Sequence, residues 1–162
     1  LSAHMLIMTG IAKNINEAEN ILQKNIMNGA ALERFMQMIK LHKGNPRVIE
    51  NYSILPKAKY ILPLLSPESG WITKADADII GRACIILGAG RETKDDKINF
   101  AVGISGIRKI GERIERKEPL LFIHADDKNK IQAAKKLLIS AFCFSDKPVH
   151  PPQLIGGILN GK

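Results

Sequence analysis

The chain has 162 residues, 45% of them hydrophobic and 25% charged, a balance that fits one compact globular unit or two small ones and excludes a disordered chain. Its 24 lysines and arginines against 16 acids give a net charge of +8, but the basic residues recur in ones and twos from Lys13 to Lys162 with acids between them. With one Trp, two Tyr and no RNA- or DNA-binding signature, that charge does not make a nucleic-acid surface, and no segment approaches the ~20 continuous apolar residues of a membrane span.

The opening "LSAHMLIMTG" starts in mid-amphipathic pattern without an initiator Met, as though an upstream portion preceded it. It also lacks the basic leader and small-residue cleavage pattern of a signal peptide, so the expectation is a cytoplasmic protein with no membrane partner. "NINEAENILQKNIMNG" then predicts a helix. Asn14 is placed as N-cap with Glu17 three residues on, Ile15, Ala18, Leu22 and Ile26 recur at helical spacing, and Gly29 closes the run. A second helix follows in "AALERFMQMIKLHKG", with Leu32, Phe35, Met36 and Ile39 on one face and Gly44 and Pro46 as the stop. The methionines Met27, Met36 and Met38 fall at helical spacing and are expected to fill a core.

Composition changes after Asn51. Pro56, Pro63 and Pro67 break any helix, so the apolar runs between them read as strands or extended connections that end in a turn at Ser69 and Gly70. From Asp76 to Leu87 the pattern is helical again, with Ile79, Ile80, Ala83, Ile86 and Leu87 on one side. "INFAVGI" (Ile98–Ile104) and "PLLFIHA" (Pro119–Ala125) predict strands, "NKIQAAKKLLISAF" a helix, and the proline-rich end a closing extended segment. The whole is an α+β plan. Cys84 and Cys143 each sit in an apolar run without metal-ligand spacing and are expected to be reduced, buried, structural thiols.

The stretch "LGAGRETKDDK" invites comparison with a phosphate cradle. A Walker loop needs a Gly-Lys-Ser/Thr ending, and a dinucleotide loop needs a preceding strand and a third small residue where Thr93 stands. Neither condition is met. Gly88 and Gly90 are more simply a helix C-cap at positive φ, with Arg91 and Lys94 pairing against Asp95 and Asp96 in the turn. "RKIGERIERKEPLLFIHADD" resembles the β-hairpins of biotin- and lipoyl-carrier domains, with Gly111 in the turn and Leu120 and Phe122 alternating against Leu121 and Ile123. Together with "SPESGWI" it suggests a hammerhead or barrel-sandwich element, but Lys128 stands in a polar stretch and not on the exposed turn that a modifiable carrier lysine needs.

"LGAGR", "KDDKINFAVGI", "KIGERI" and "PLLFIHADD", in this order and spacing, resemble the C-terminal signature of the thymidine and pyrimidine-nucleoside phosphorylase family. The upstream helices and "VIENYSILPKAK" are similar to the portion preceding that domain, and the departures are small, such as Glu118, and Asn99 where an aspartate is common. The resemblance implies an N-terminal helical segment, residues 1–51, belonging to a larger phosphorylase domain, and an α/β-hammerhead C-terminal domain over residues 52–162. It implies a cytosolic homodimer that cleaves a pyrimidine deoxynucleoside with inorganic phosphate as co-substrate and no other cofactor. The family's phosphate loop and base-binding residues lie in earlier parts of its chain, closed onto the substrate by a domain movement. No stretch here matches them. No catalytic, cofactor-binding or metal residue is therefore assigned, the chain alone is expected to be inactive, and its partner is the remainder of the phosphorylase chain.

The histidines agree with that restraint. His4, His42, His124 and His150 lie far apart in sequence, with no Ser, Cys or acid in triad or metal spacing. His124, on a predicted strand, is expected to be a hydrogen-bonded structural residue, and His42 to sit at a helix end where it favours the dipole. The alternative reading is a stand-alone hammerhead module that binds a partner or carries a group without chemistry of its own.

Overall fold

The computed structural model describes residues 1–157 and residue 159. The chain divides into two compact units, Leu1–Leu55 and Pro56–Lys162. The first consists of helices α1 (Ser2–Met8), α2 (Ile15–Met27) and α3 (Ala30–Leu41), followed by 3-10 turns at Pro46–Ile49 and Tyr52–Ile54. Asn14 caps α2 as expected: its Oδ1 accepts from the Glu17 N–H at 2.9 Å, while the Glu17 carboxylate accepts from the Lys13 N–H at 2.8 Å. Gly29, at φ +81°, turns the chain from α2 into α3. The Gly44 N–H returns to the Ile39 carbonyl at 2.8 Å just before Pro46, which ends α3.

The expected core role of the methionines does not hold. Met27 is 80% exposed and Met38 48%, Met36 is half-buried, and α3 buries no residue at all. The reason is lack of cover: the buried residues of this unit are Ala3, Ala12 and Ala18, with Leu6, Ile7, Ile21 and Leu22 against them. Small side chains at that contact leave the far side of α2 and most of α3 unpacked within this unit.

The second unit has a larger core. Strands β1 (Tyr60–Leu65), β2 (Gly70–Ala75), β3 (Gly103–Ser105), β4 (Arg113–Ile114), β5 (Pro119–Ala125) and β6 (Phe142–Ser145) alternate with helices α4 (Ala77–Leu87) and α5 (Lys128–Ile139). They form two antiparallel three-stranded sheets, in the orders β1-β5-β3 and β4-β2-β6. The architecture is α+β. Ile80, Ala83 and Leu87 of α4 and Ile131, Ala134 and Leu138 of α5 enter one core with Leu64, Ile72, Ile114 and the inner residues of β5. Pro63 is tolerated because β1 lies at a sheet edge, and Ser66, buried beyond the irregularity at Leu64/Leu65, holds the turn before β5 through the Lys117 N–H and the Glu118 carbonyl.

β5 occupies the predicted range, but its faces do not alternate along the whole strand. Leu121 and Ile123 are buried and Phe122 is 37% exposed, yet Leu120 is buried too, where the Arg108 N–H donates to its carbonyl at 2.9 Å. The hairpin partner also differs from expectation. β5 pairs with β3 and β1, whereas the short strand inside "KIGERI" pairs with β2. Gly111 does turn the chain, at φ +89°, and the turn is anchored to the sheet by Gly111 N–H to Ile72 O and Ile72 N–H to Glu112 O.

Three further expectations are corrected. The strand expected over Ile98–Ile104 is confined to Gly103–Ser105, because the Asn99 side chain accepts the Ala101 N–H and bends the preceding segment into a turn. The helix expected to reach Phe142 stops at Ile139, and Phe142 begins β6 against Ala75. Cys143, carried on β6, is exposed, while Cys84 on α4 is partly buried. The proline-rich end has neither helix nor strand from Asp146 to residue 157, and Ile158 and Asn160–Lys162 lie outside the described residues.

Candidate functional site

The glycine stretch follows α4. Asp76 caps the start of that helix, accepting from the Asp78 and Ile79 N–H groups. Lys74, 2.9 Å away, is the foremost of the groups that hold its carboxyl below the ordinary carboxylate value. At the other end Gly88 stands at φ +99° and its N–H donates to the last turn, the C-cap that the sequence predicts. Gly90 does not share that role: its φ is not positive, and a β-carbon there would meet Ile85 Cγ1 at 2.9 Å. Close approach to α4, not a left-handed backbone, requires glycine at this position.

The charges beyond it do not pair as expected either. Among the described residues no ion pair joins Arg91 or Lys94 to Asp95 or Asp96. Asp96 instead accepts the Thr93 N–H at 2.8 Å, the Thr93 hydroxyl at 2.9 Å and the Glu92 N–H at 2.9 Å, and these bonds, Thr93's first, hold its carboxyl below the ordinary value. A depression of about 280 Å³ lies beside the turn, lined by Gly88, Gly90, Glu92, Asp96, Lys97 and Lys130. Two acids and two bases line it, so it does not offer the uniformly positive field that a phosphate needs.

His124 lies on β5 between Gly103 of β3 and Ile61 of β1. Its Nε2 is 2.7 Å from the Ser105 hydroxyl. A serine and a histidine at that distance can form a nucleophile and base when a third group orients the ring. The nearest acid along the strand, Asp126, is committed elsewhere: it accepts the Lys59 N–H at 2.8 Å and the Asn99 amide at 2.7 Å, which keep its carboxyl below the ordinary value, the Lys59 bond first. The pair is a cross-strand hydrogen bond between β3 and β5, so His124 is hydrogen-bonded as expected. Sequence reasoning did not find Ser105 or the Asp126 bridge, since their partners lie 19, 27 and 67 residues away and no local pattern links them.

The other candidates lie on separate elements. His4 is half-buried on α1, His42 is the C-cap of α3, and His150 is exposed beyond β6. Lys128 opens α5 with its ammonium 5.5 Å from the Tyr60 ring centre, and it is not displayed on a tight turn. Burial pushes the Cys84 thiol up. Among the described residues no group of three His, Cys, Asp or Glu could hold a metal ion, and no helix is long and apolar enough to cross a membrane.

Fold and site together define an α+β chain whose sheet β1-β5-β3 is tied by polar bonds at Ser105, His124, Asn99 and Asp126. Residues 71–144 match the family described as pyrimidine nucleoside phosphorylase C-terminal domain. The chain is 34% identical over 155 residues to a pyrimidine-nucleoside phosphorylase of Geobacillus stearothermophilus, covering 96% of this chain and 36% of that protein. It is 38% identical over 151 residues to the pyrimidine-nucleoside phosphorylase of Staphylococcus aureus strain USA300, covering 93% of this chain and 35% of that protein. The chain spans about a third of the length of these curated relatives. The resemblance stated from sequence therefore holds: this chain matches the C-terminal portion of pyrimidine-nucleoside phosphorylases.

Proposed function

We propose that this chain is the C-terminal part of a thymidine or pyrimidine-nucleoside phosphorylase, a pentosyltransferase of nucleoside salvage that acts in the cytoplasm as a homodimer. The single observation that carries the reading is the match of nearly the whole chain to about a third of such enzymes. In the proposed reaction a phosphate oxygen bonds to C1′ of the deoxyribose as the C1′–N bond to the pyrimidine breaks. The base leaves with the electron pair and takes up a proton, and 2-deoxyribose 1-phosphate is released. Inorganic phosphate is a co-substrate and no cofactor takes part. Positioning and electrostatics do most of that work, and the groups that supply them belong to the remainder of the phosphorylase.

On this reading residues 1–51 are part of the larger phosphorylase domain and residues 52–162 are its C-terminal domain, the two three-stranded sheets with α4 and α5 forming an α/β-hammerhead. The exposed large apolar residues of the first unit, Ile26, Met27, Leu32 and Leu41 among them, support it, since apolar side chains left open in such number fit a surface that a further portion of the chain covers. The chain alone is inactive. The test is release of thymine from thymidine in phosphate buffer by the purified 162-residue chain, alone and mixed with the N-terminal two thirds of a relative. Background release alone, with turnover on mixing, is the expected result. Turnover above ~1 per second by the chain alone would show that catalytic residues lie within it and overturn the assignment.

A further inference from the structure

A groove of about 630 Å³ lies in the second unit between α4, the segment Ile107 to Ile110 and the proline-containing tail. Ile80, Ile107, Ile110, Pro151 and Leu154 make its lining apolar, and among the described residues Lys109 is the charged residue on it. Helix α4 meets the groove with Ala77 and Gly81, and a β-carbon at Gly81 would find nothing within 4 Å.

Backbone hydrogen bonds hold one of the other walls, and the second lies close against it. The 109–112 turn is tied to β2 by Gly111 N–H to Ile72 O and Ile72 N–H to Glu112 O, each at 2.9 Å. The tail is seated on that same turn. A β-carbon at Gly111 would lie 2.9 Å from Pro151 N and 3.0 Å from Val149 O, so the absence of a side chain lets the tail approach this closely. Beside Lys109, Arg108 meets Glu112 at 3.4 Å, whereas among the described residues Lys109 itself enters no ion pair.

We propose that this groove binds an apolar monoanion of small-molecule size, an aryl or alkyl carboxylate, with its body against Ile80, Ile107 and Ile110 and its carboxylate on the Lys109 ammonium. The volume falls within the ~300–1,000 Å³ of small-molecule sites, which are mostly apolar with a few polar groups that set orientation. Charge complementarity selects the class. A neutral ligand gains nothing from the exposed ammonium that a monoanion would meet, and a dianion brings a second charge against an apolar wall with nothing to meet it.

The test is titration of the full 162-residue chain with 2-naphthoate, followed by amide NMR shifts, with naphthalene-2-carboxamide as the neutral isostere. Saturable shifts at Gly81, Ile107 and Ile110 are expected. The carboxamide and the Lys109→Met variant should each bind about three- to fivefold more weakly, the effect of one partly exposed ion pair. Gly81→Leu fills the groove and should abolish the saturable shifts. Because an exposed helical glycine is replaced by a better helix former, it should do so with an unfolding temperature at or above that of the parent chain. Absence of saturable shifts at these residues, equal affinity for the carboxamide, or unchanged binding in Gly81→Leu would each overturn the proposal, as would shifts confined to the first unit.

Discussion

The Asn99 amide donates to the Asp126 carboxylate at 2.7 Å, and the other oxygen of that carboxylate accepts the Lys59 N–H, so one side chain joins the entry to β1, the turn before β3 and the end of β5. Asp126→Ala and Asn99→Ala should each lower the unfolding temperature, because Asp126 also accepts from the Lys59 N–H and Asn99 also accepts from the Ala101 N–H, so each variant loses two hydrogen bonds. The double variant should fall short of the sum of the two, as partners in one network do. Thermal unfolding of the three variants checks this, and strict additivity would show that the bridge carries no coupling.

The same carboxylate predicts a pH dependence. The folded-state pKa values of Asp126, Asp96 and Asp76 all lie below the ordinary value of 3.8. Their contribution to stability is therefore fully present above that value and is lost as pH falls from about 4 through the lowered folded values. Unfolding midpoints measured between pH 6 and pH 2.5 should fall at the acid end. Asp126→Asn should flatten that drop, and an unchanged slope would count against the bridge.

Gly88 and Gly90 should respond differently to the same substitution. Gly88→Ala places a β-carbon at φ +99° and should cost about 1 kcal/mol or more. Gly90→Ala crowds Ile85, so a second change, Ile85→Ala, should relieve Gly90→Ala and leave Gly88→Ala unrelieved. Inorganic phosphate should stabilise none of these variants. A stabilisation of the parent chain by phosphate that Gly90→Ala removes would restore the phosphate-cradle reading.

On β5, neighbouring residues should differ in cost. Ile123→Ala, at a fully buried position, should destabilise by about 2–5 kcal/mol, and Phe122→Ala, on the open face, by clearly less. Urea unfolding of both variants measures the difference. Similar costs would mean that the strand is covered on both faces at this point as well as at Leu120.

The thiols should titrate in two phases with an aromatic disulfide reagent. Cys143, exposed on β6, should react at once, while Cys84, partly buried and with its thiol pushed up by burial, should wait for unfolding. Simultaneous reaction of both in the native protein would contradict the structure of α4.

Local chemistry was legible along the chain. Asn14 with Glu17, the left-handed glycines at 29, 88 and 111, and the apolar run Pro119–Ala125 act within one turn or strand, and each stands where its residue types require. The motifs "LGAGR" through "PLLFIHADD" likewise carried the family resemblance, because they are patterns of order and spacing along the chain. Partnership was not legible. That β4 pairs with β2, that Ser105 meets His124, and that Asp126 reaches both Lys59 and Asn99 are outcomes of chain closure over long separations. Whether an apolar side chain is covered depends in the same way on what packs against it, which is why Met27, Met38 and Cys143 stand exposed while Leu120, expected to share the face of Phe122, is buried. Periodicity names the apolar face of an element; only the tertiary structure supplies the surface that buries it.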